Sequence, residues 1–409
     1  MEPHTHKILV ASAAFDIVSS KLLHGKPHVA FVRSSSGDEF VLKHCLTAAE
    51  EAFGLLLAAQ LDVAAPACRV VTALAGRSMP SLLMERVGAA VELSSLTAAD
   101  AESLLSPASA AGRRRLRSFG AVLALDLCLD NHDRFPVAWR GNGNAHNVLF
   151  GTIAAPTMHT GGDADDDDDD DDDDALRVVT IDQPLRCADL SQRLSRRLLD
   201  EYCGRIEALC CAVRQCVAAA DDDHRRRDPS GHCAPPPPSP TPPAETSEAA
   251  VRMAKRLRAV AAESGLPADV VEDERVARAA VVLGRRRFDK SLAWVQRPAT
   301  LQYLRERLAE SERGDKAFGF GALTTPRHPL APLRDFVLLA TDFDLEERGC
   351  VEVGRGFLTA CARACVVLQP GSATLAALEA ELADAGVAPP LRLDCLHRRV
   401  AAIGAGLTK

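Results

Sequence analysis

The sequence predicts an α+β fold in which a small antiparallel β-sheet comes first and helices dominate the rest. Three observations predict it. Two short β-branched and aromatic runs, His28–Val32 (HVAFV) and Glu39–Lys43 (EFVLK), are joined by Ser-Ser-Ser-Gly-Asp, a hairpin signature with Gly37 free to take a positive φ. A capping-box pattern, Thr47-Ala-Ala-Glu50, opens an Ala/Leu-rich run to about Leu61. Farther on, Leu116, Phe119, Val122, Leu123 and Leu127 recur at helical spacing within Arg113–Leu129.

The remaining elements follow in order. Ile8–Phe15 is apolar and flows into strand-like sequence, and Lys21–Pro27 stands between the first two strands with a single glycine. Pro66 ends the segment after the first helix, and Cys68–Leu74 and Ser81–Val87 read as two more strands. Asn147–Phe150 and Arg177–Ile181 are β-like runs flanking a run of aspartates, which reads as an expanded hairpin loop. Leu190–Ala219 turns helical, as do Ala249–Ser264, Val271–Arg286, Ala299–Arg313 and Phe357–Val366. No internal repeat emerges.

With 409 residues the chain has the length of two or three domains at about 150 residues each. Its 47% apolar and 25% charged residues are those of a globular protein, whereas 4% aromatic residues poorly supply a base-stacking platform. The net charge of −8 is set by Asp163 and the run Asp165–Asp174, without which the chain carries +3, so no basic face suggests a nucleic-acid partner. Thirteen cysteines, none in a zinc-ribbon spacing, read as reduced thiols of an intracellular, cytoplasmic protein, and Cys203, Cys210, Cys211 and Cys216 as helix core. The Ile8–Phe15 stretch follows Glu2 and is not expected to be a signal peptide. No apolar run approaches the ~18 residues of a membrane span. Residues 1–220 are expected to form the core unit, with a disordered acidic insert at 161–175; residues 221–248 form a Pro-rich linker, and 249–409 form a mostly helical C-terminal region that either completes the core or stands apart.

Phosphoryl transfer from ATP requires a Lys on the phosphates, a carboxylate at the acceptor hydroxyl, and oxygen ligands for magnesium. The chain carries these types in order: Lys43 at the end of a hairpin strand, Glu51 on the next helix, Asp133 in a post-helix loop, Asn147 before a short strand and Asp182 after the following one. Each type alone is common, but the ordered set on matching elements is specific.

The centre of the set is Asn131-His-Asp-Arg-Phe-Pro136, His146-Asn-Val-Leu-Phe150 and Thr180-Ile-Asp-Gln183. It resembles the actin-fragmin kinase family, an outlying branch of the protein-kinase-like fold related to phosphoinositide kinases. The resemblance runs from about Ile8 to Ala219 and implies a two-lobed fold, an antiparallel-sheet N-lobe and a helical C-lobe, with ATP and Mg²⁺ between them. It implies that Lys43 binds the α- and β-phosphates and Glu51 holds its ammonium, while the capping-box spacing assigns Glu50 to the cap of the helix. Met84 and Glu85 belong to the strand that meets adenine, Glu85 acting through its backbone. Asp133 is the implied base at the acceptor hydroxyl, Arg134 a neutraliser of charge on the γ-phosphate, and Asn147 and Asp182 the magnesium ligands.

The departures from the pattern are definite. No Gly-rich loop is present, so Lys21 or Lys26 is expected to supply phosphate contacts. Asp133 and Asn147 stand fourteen positions apart, against about five in ordinary protein kinases, which requires Val137–Ala145 to loop out through Gly141-Asn-Gly-Asn144 and makes Asn144 a rival ligand. No Phe-Gly follows Asp182, no Ala-Pro-Glu follows it, and no kelch repeats follow the core. His132 and His146 lack a third ligand for zinc, and Arg113–Arg115 and Arg285–Arg287 read as exposed helix faces. The expected activity is an ATP-dependent Ser/Thr protein kinase acting on a protein substrate, with actin or an actin-binding complex as the candidate. A lipid kinase and an inactive kinase-like binding module are the alternatives.

Overall fold

The structure is a computed structural model, and it describes residues 17–23, 26–71, 80–135, 137–138, 143–153, 176–186, 190–226, 329–341, 343–384 and 393–409. It is an α+β structure with two small antiparallel sheets and many helices. The first sheet contains β1 (Ile17–Leu23), β2 (Lys26–Ser34), β3 (Glu39–His44), β4 (Cys68–Val71) and β5 (Ser81–Glu85) in the order β1-β2-β3-β5-β4. Gly37 takes φ +94 in the β2–β3 turn, as the hairpin signature requires. In the β3–β5 register Lys43 lies opposite Leu82 and Val41 opposite Met84.

Between β3 and β4 runs α1 (Ala48–Gln60), buried from Glu51 to Ala58. Its capping box does not form: Thr47 makes no side-chain cap bond, and its hydroxyl donates to Glu51 Oε1 at 3.2 Å instead. The pattern does cap α2 (Ala98–Leu105), where Thr97 and Asp100 bond reciprocally. The segment Lys21–Pro27 is also corrected. Lys21 lies within β1 opposite Phe31, and Lys26 opens β2 opposite Leu23, so strand replaces the expected loop on both sides of a short connection.

A second sheet joins β6 (Gly88–Glu92), β7 (Val148–Thr152) and β8 (Arg177–Thr180). The antiparallel β7–β8 pairing makes the chain on either side of the aspartate run a hairpin; the run itself lies outside the described residues. A parallel bridge from Ala64 to Val179 ties this hairpin to the segment after α1.

The buried stripe of α3 (Ala110–Leu129) forms the centre of the core, with Phe119 against Phe135 and Phe150 at ring separations of 5.7 and 6.0 Å. Around it stand α4 (Arg193–Arg226), α5 (Ala331–Thr341), α6 (Glu346–Val367), α7 (Ala373–Asp384) and α8 (Asp394–Thr408). α6 lies directly on α3 because two glycines meet there: a Cβ on Gly120 would stand 2.0 Å from Val353 O, and one on Gly356 2.0 Å from Arg117 O. α8 packs on α4 and α6, and α7 on α1, so residues of 330–403 share one core with α1 and α3. Of the helices expected downstream of the linker, that at Phe357–Val366 is the C-terminal half of α6; the other three lie outside the described residues. Arg115, expected on an exposed face, is buried and donates to Leu176 O and Leu104 O. Cys210 is fully buried and Cys203, Cys211 and Cys216 half-buried, all as free thiols.

Candidate active site

Lys43 is presented by β3 and Glu51 by the first turns of α1. The Lys43 ammonium donates to both Glu51 carboxylate oxygens at 2.8 Å, and it also donates to Asp182 Oδ1. Glu51 is almost wholly buried, so it requires this cation. Burial works to lower the Lys43 pKa, but the Asp182 and Glu51 carboxylates outweigh it and the net shift is upward, which keeps the ammonium charged.

α1 also sets the height of Asp182. The Glu50 carbonyl accepts from Leu185 N–H at 3.2 Å, and a Cβ on Gly54 would stand 2.0 Å from Gln183 O, so the helix touches the backbone just past the aspartate. Asp182 itself takes φ +62, a left-handed conformation that Asp tolerates better than most residues and that turns its carboxylate from the end of β8 toward Lys43.

α3 ends at Asp130, a left-handed cap with φ 59 and ψ 37, and its termination throws the chain into the Asn131–Arg134 loop. Asn131 organises that loop: Oδ1 accepts from Asp133 N–H at 3.3 Å while Nδ2 donates to Asp182 O at 3.1 Å. Asp133 is exposed, and its Oδ2 accepts from Asn147 Nδ2 at 2.9 Å. The fourteen-residue spacing therefore does bring the two side chains together. Asn144, the rival for the Asn147 position, caps a 3₁₀ turn (Ala145–Asn147) by accepting from His146 N–H, so its side chain belongs to the turn.

Arg134 does not face a phosphate. It has no exposed surface, and its guanidinium is consumed by Asp126, the Asn147 carbonyl and the Ile181 carbonyl. It is a structural cation that holds the residue carrying Asn147 and the residue before Asp182 in one place, and it forms no ion pair with Asp133. Its partner Asp126 is also fully buried, and burial pushes that carboxyl up to about 7 against the pull of Arg134. Sequence reasoning gave Asp126 and Asn131 no role. A signal existed for both: Asp126 is the one acidic residue on the apolar stripe of α3, and Asn131 heads the very loop motif that contains Asp133.

On β5 the Met84 side chain is buried in the main core, and the Glu85 N–H is already given to Ala67 O at 2.8 Å. The Lys26 side chain lies outside the described residues. His132 accepts from Arg186 at 3.1 Å, and His146 Nδ1 faces Glu92 and Ser94. Among the described residues no three His, Cys, Asp or Glu side chains cluster to hold a metal ion. The oxygen donors at hand are the Asp182 carboxylate and the Asn147 amide oxygen. Such a pair fits magnesium, which takes one or two protein oxygens and completes its shell with water and phosphate.

Residues 82–163 match the family described as actin-fragmin kinase, catalytic, which bears out the resemblance read from the sequence. The matched segment holds Met84, Glu85, Asp133, Arg134 and Asn147; Lys43, Glu51 and Asp182 fall outside it. No curated protein matches the chain. No helix among the described residues is long and apolar enough to cross a membrane.

Proposed function

We propose that the chain is an ATP-dependent protein kinase of the actin-fragmin type, transferring the γ-phosphate of ATP to a Ser or Thr hydroxyl of a protein. The observation that carries this reading is a pair of side-chain clusters from five separate segments, tied to each other by the Asn131 amide. Lys43 bridges Glu51 and Asp182, while Asn147 holds Asp133. The family match of residues 82–163 supports a kinase-like activity. The five-stranded sheet with α1 would be the N-lobe and the helices around α3 the C-lobe, with ATP between them.

Each residue then has a physical task. Lys43, fixed by Glu51, would bind α- and β-phosphate oxygens, and Met84 and Glu85 would border the adenine. Asp182 and Asn147 would hold magnesium through oxygen; when bound, the ion neutralises phosphate charge. Asp133 would take the proton of the acceptor hydroxyl: Asn147 occupies one carboxylate oxygen and orients the other. Arg134 and Asn131 would position these groups without touching the nucleotide. Actin or an actin-binding complex is the acceptor suggested by the family name, and the cytoplasm the matching compartment.

The test is transfer of labelled γ-phosphate from MgATP to actin, to generic basic and acidic proteins and to phosphoinositide vesicles. Label on Ser or Thr of a protein supports the proposal. Label on lipid alone moves the chain to the lipid kinases, and MgATP binding without transfer moves it to the inactive binding modules.

A further inference from the structure

We infer that Arg399, on the last helix, is a positioning residue for the candidate site, locking the end of α3 to the chain that follows Asp182; the inference rests on the phosphotransfer reading above. Arg399 is 1% exposed, whereas its neighbour Arg398 pairs with Asp200 at the surface of the same helix. A buried guanidinium needs acceptors, and this one has three. Nη1 donates to Cys128 O at 2.9 Å, and Nη2 donates to Arg186 O and reaches Asp130 Oδ2 at 3.4 Å.

Two of these acceptors lie at the C-terminus of α3, where helix carbonyls lack partners and a cation is favoured. A helix cap alone would end the argument there. The third acceptor lies on a different segment: Arg186 has its carbonyl held by Arg399 and its N–H held by Leu129 O at 2.9 Å. The chain after Asp182 is thus pinned to α3 through both backbone groups of one residue. Asn131 spans the same gap from the other side, bonding Asp133 N–H and Asp182 O with one amide. A shift of Arg186 against Asp130 would consequently move Asp182 against Asp133. Lys43 and Glu51 hold each other on elements outside this clamp, Lys43 meeting it only at Asp182, and Met84 stands on β5.

The experiment uses the full chain with Arg399→Met, Arg399→Lys, Asp130→Asn and, as a packing control, Ile403→Val, a fully buried position on the same helix. The readouts are amide hydrogen exchange at 129–134 and 183–186, and initial rates of γ-phosphate transfer at varied MgATP. Arg399→Met is expected to lose protection in both segments and to lower kcat by about tenfold or more, since sub-ångström misplacement of reacting groups is costly, with KM for MgATP changing less than about threefold. Arg399→Lys is expected to recover part of the loss, and Asp130→Asn, which preserves the left-handed turn, to shift both readouts in the same direction even if the Met variant fails to fold. Ile403→Val is expected to lower the melting temperature and change neither readout. Wild-type protection at both segments in Arg399→Met would overturn the inference, as would equal losses of turnover in Ile403→Val and Arg399→Met at matched stability. Exchange does not require turnover, so a chain that transfers no phosphate would refute the kinase reading while leaving the clamp decided by its own measurement.

Discussion

Two adjacent residues, Asp133 and Arg134, share one loop and have opposite tasks. Asp133 is exposed and bonded by Asn147, so Asp133→Asn should leave the melting temperature within about 1 °C of wild type, as surface substitutions usually do. Arg134 is buried against Asp126 and the Asn147 and Ile181 carbonyls, so Arg134→Met strips three acceptors of their donor and should cost about 3–5 kcal/mol in denaturant unfolding. Asp126 carries a pH signature as well. Its native carboxyl titrates at about 7 against an ordinary value of 3.8, so the folded chain keeps a proton that the unfolded chain has released. A raised acid of this kind makes stability fall as pH rises across that window. Asp126→Asn should flatten the slope between about pH 5 and 7, measured by unfolding at each pH; an unchanged slope would show that Asp126 does not titrate there.

At the scale of elements, the site depends on how closely α1 lies against the chain after Asp182. Gly54 permits that approach, and an added Cβ meets backbone that cannot move aside cheaply. Gly54→Ala should therefore cost ~1–3 kcal/mol and, because Glu51 moves with the helix, reduce turnover by more than its loss of stability explains. Sequence legibility differed by element for physical reasons. The β2–β3 hairpin, α1 and α3 were readable because local chemistry decides them: a glycine turn, an Ala/Leu run and an apolar stripe. The Thr47 box failed because Thr47 serves Glu51, a tertiary use that no spacing reveals. β6 and the C-terminal helices α7 and α8 went unread because their faces are defined by distant partners.

At the scale of the molecule, the polar groups of the site were legible as types in order, while the hydrogen bonds that hold them were not. Arg134 was expected at the γ-phosphate and is buried on Asp126 instead, since adjacency to Asp133 says nothing about which way a guanidinium turns. Arg399 stands 269 residues from Asp130, beyond any local pattern. The β7–β8 hairpin pairs in register up to Gly151 and Arg177. Replacing residues 163–174 with a short Gly/Ser loop should consequently leave transfer within about twofold and stability nearly unchanged, because loop-closure entropy varies slowly with length.

If Asp133, held by Asn147 and tied to Asp182 through Asn131, is the base of a phosphotransfer site, its loss must stop transfer without loosening the nucleotide. The most direct measurement pairs MgATP binding with γ-phosphate transfer for the wild type and Asp133→Asn. Equal MgATP affinity in both is expected, with a loss of transfer by ~10²–10⁴-fold in the variant. Equal transfer by both proteins would contradict it.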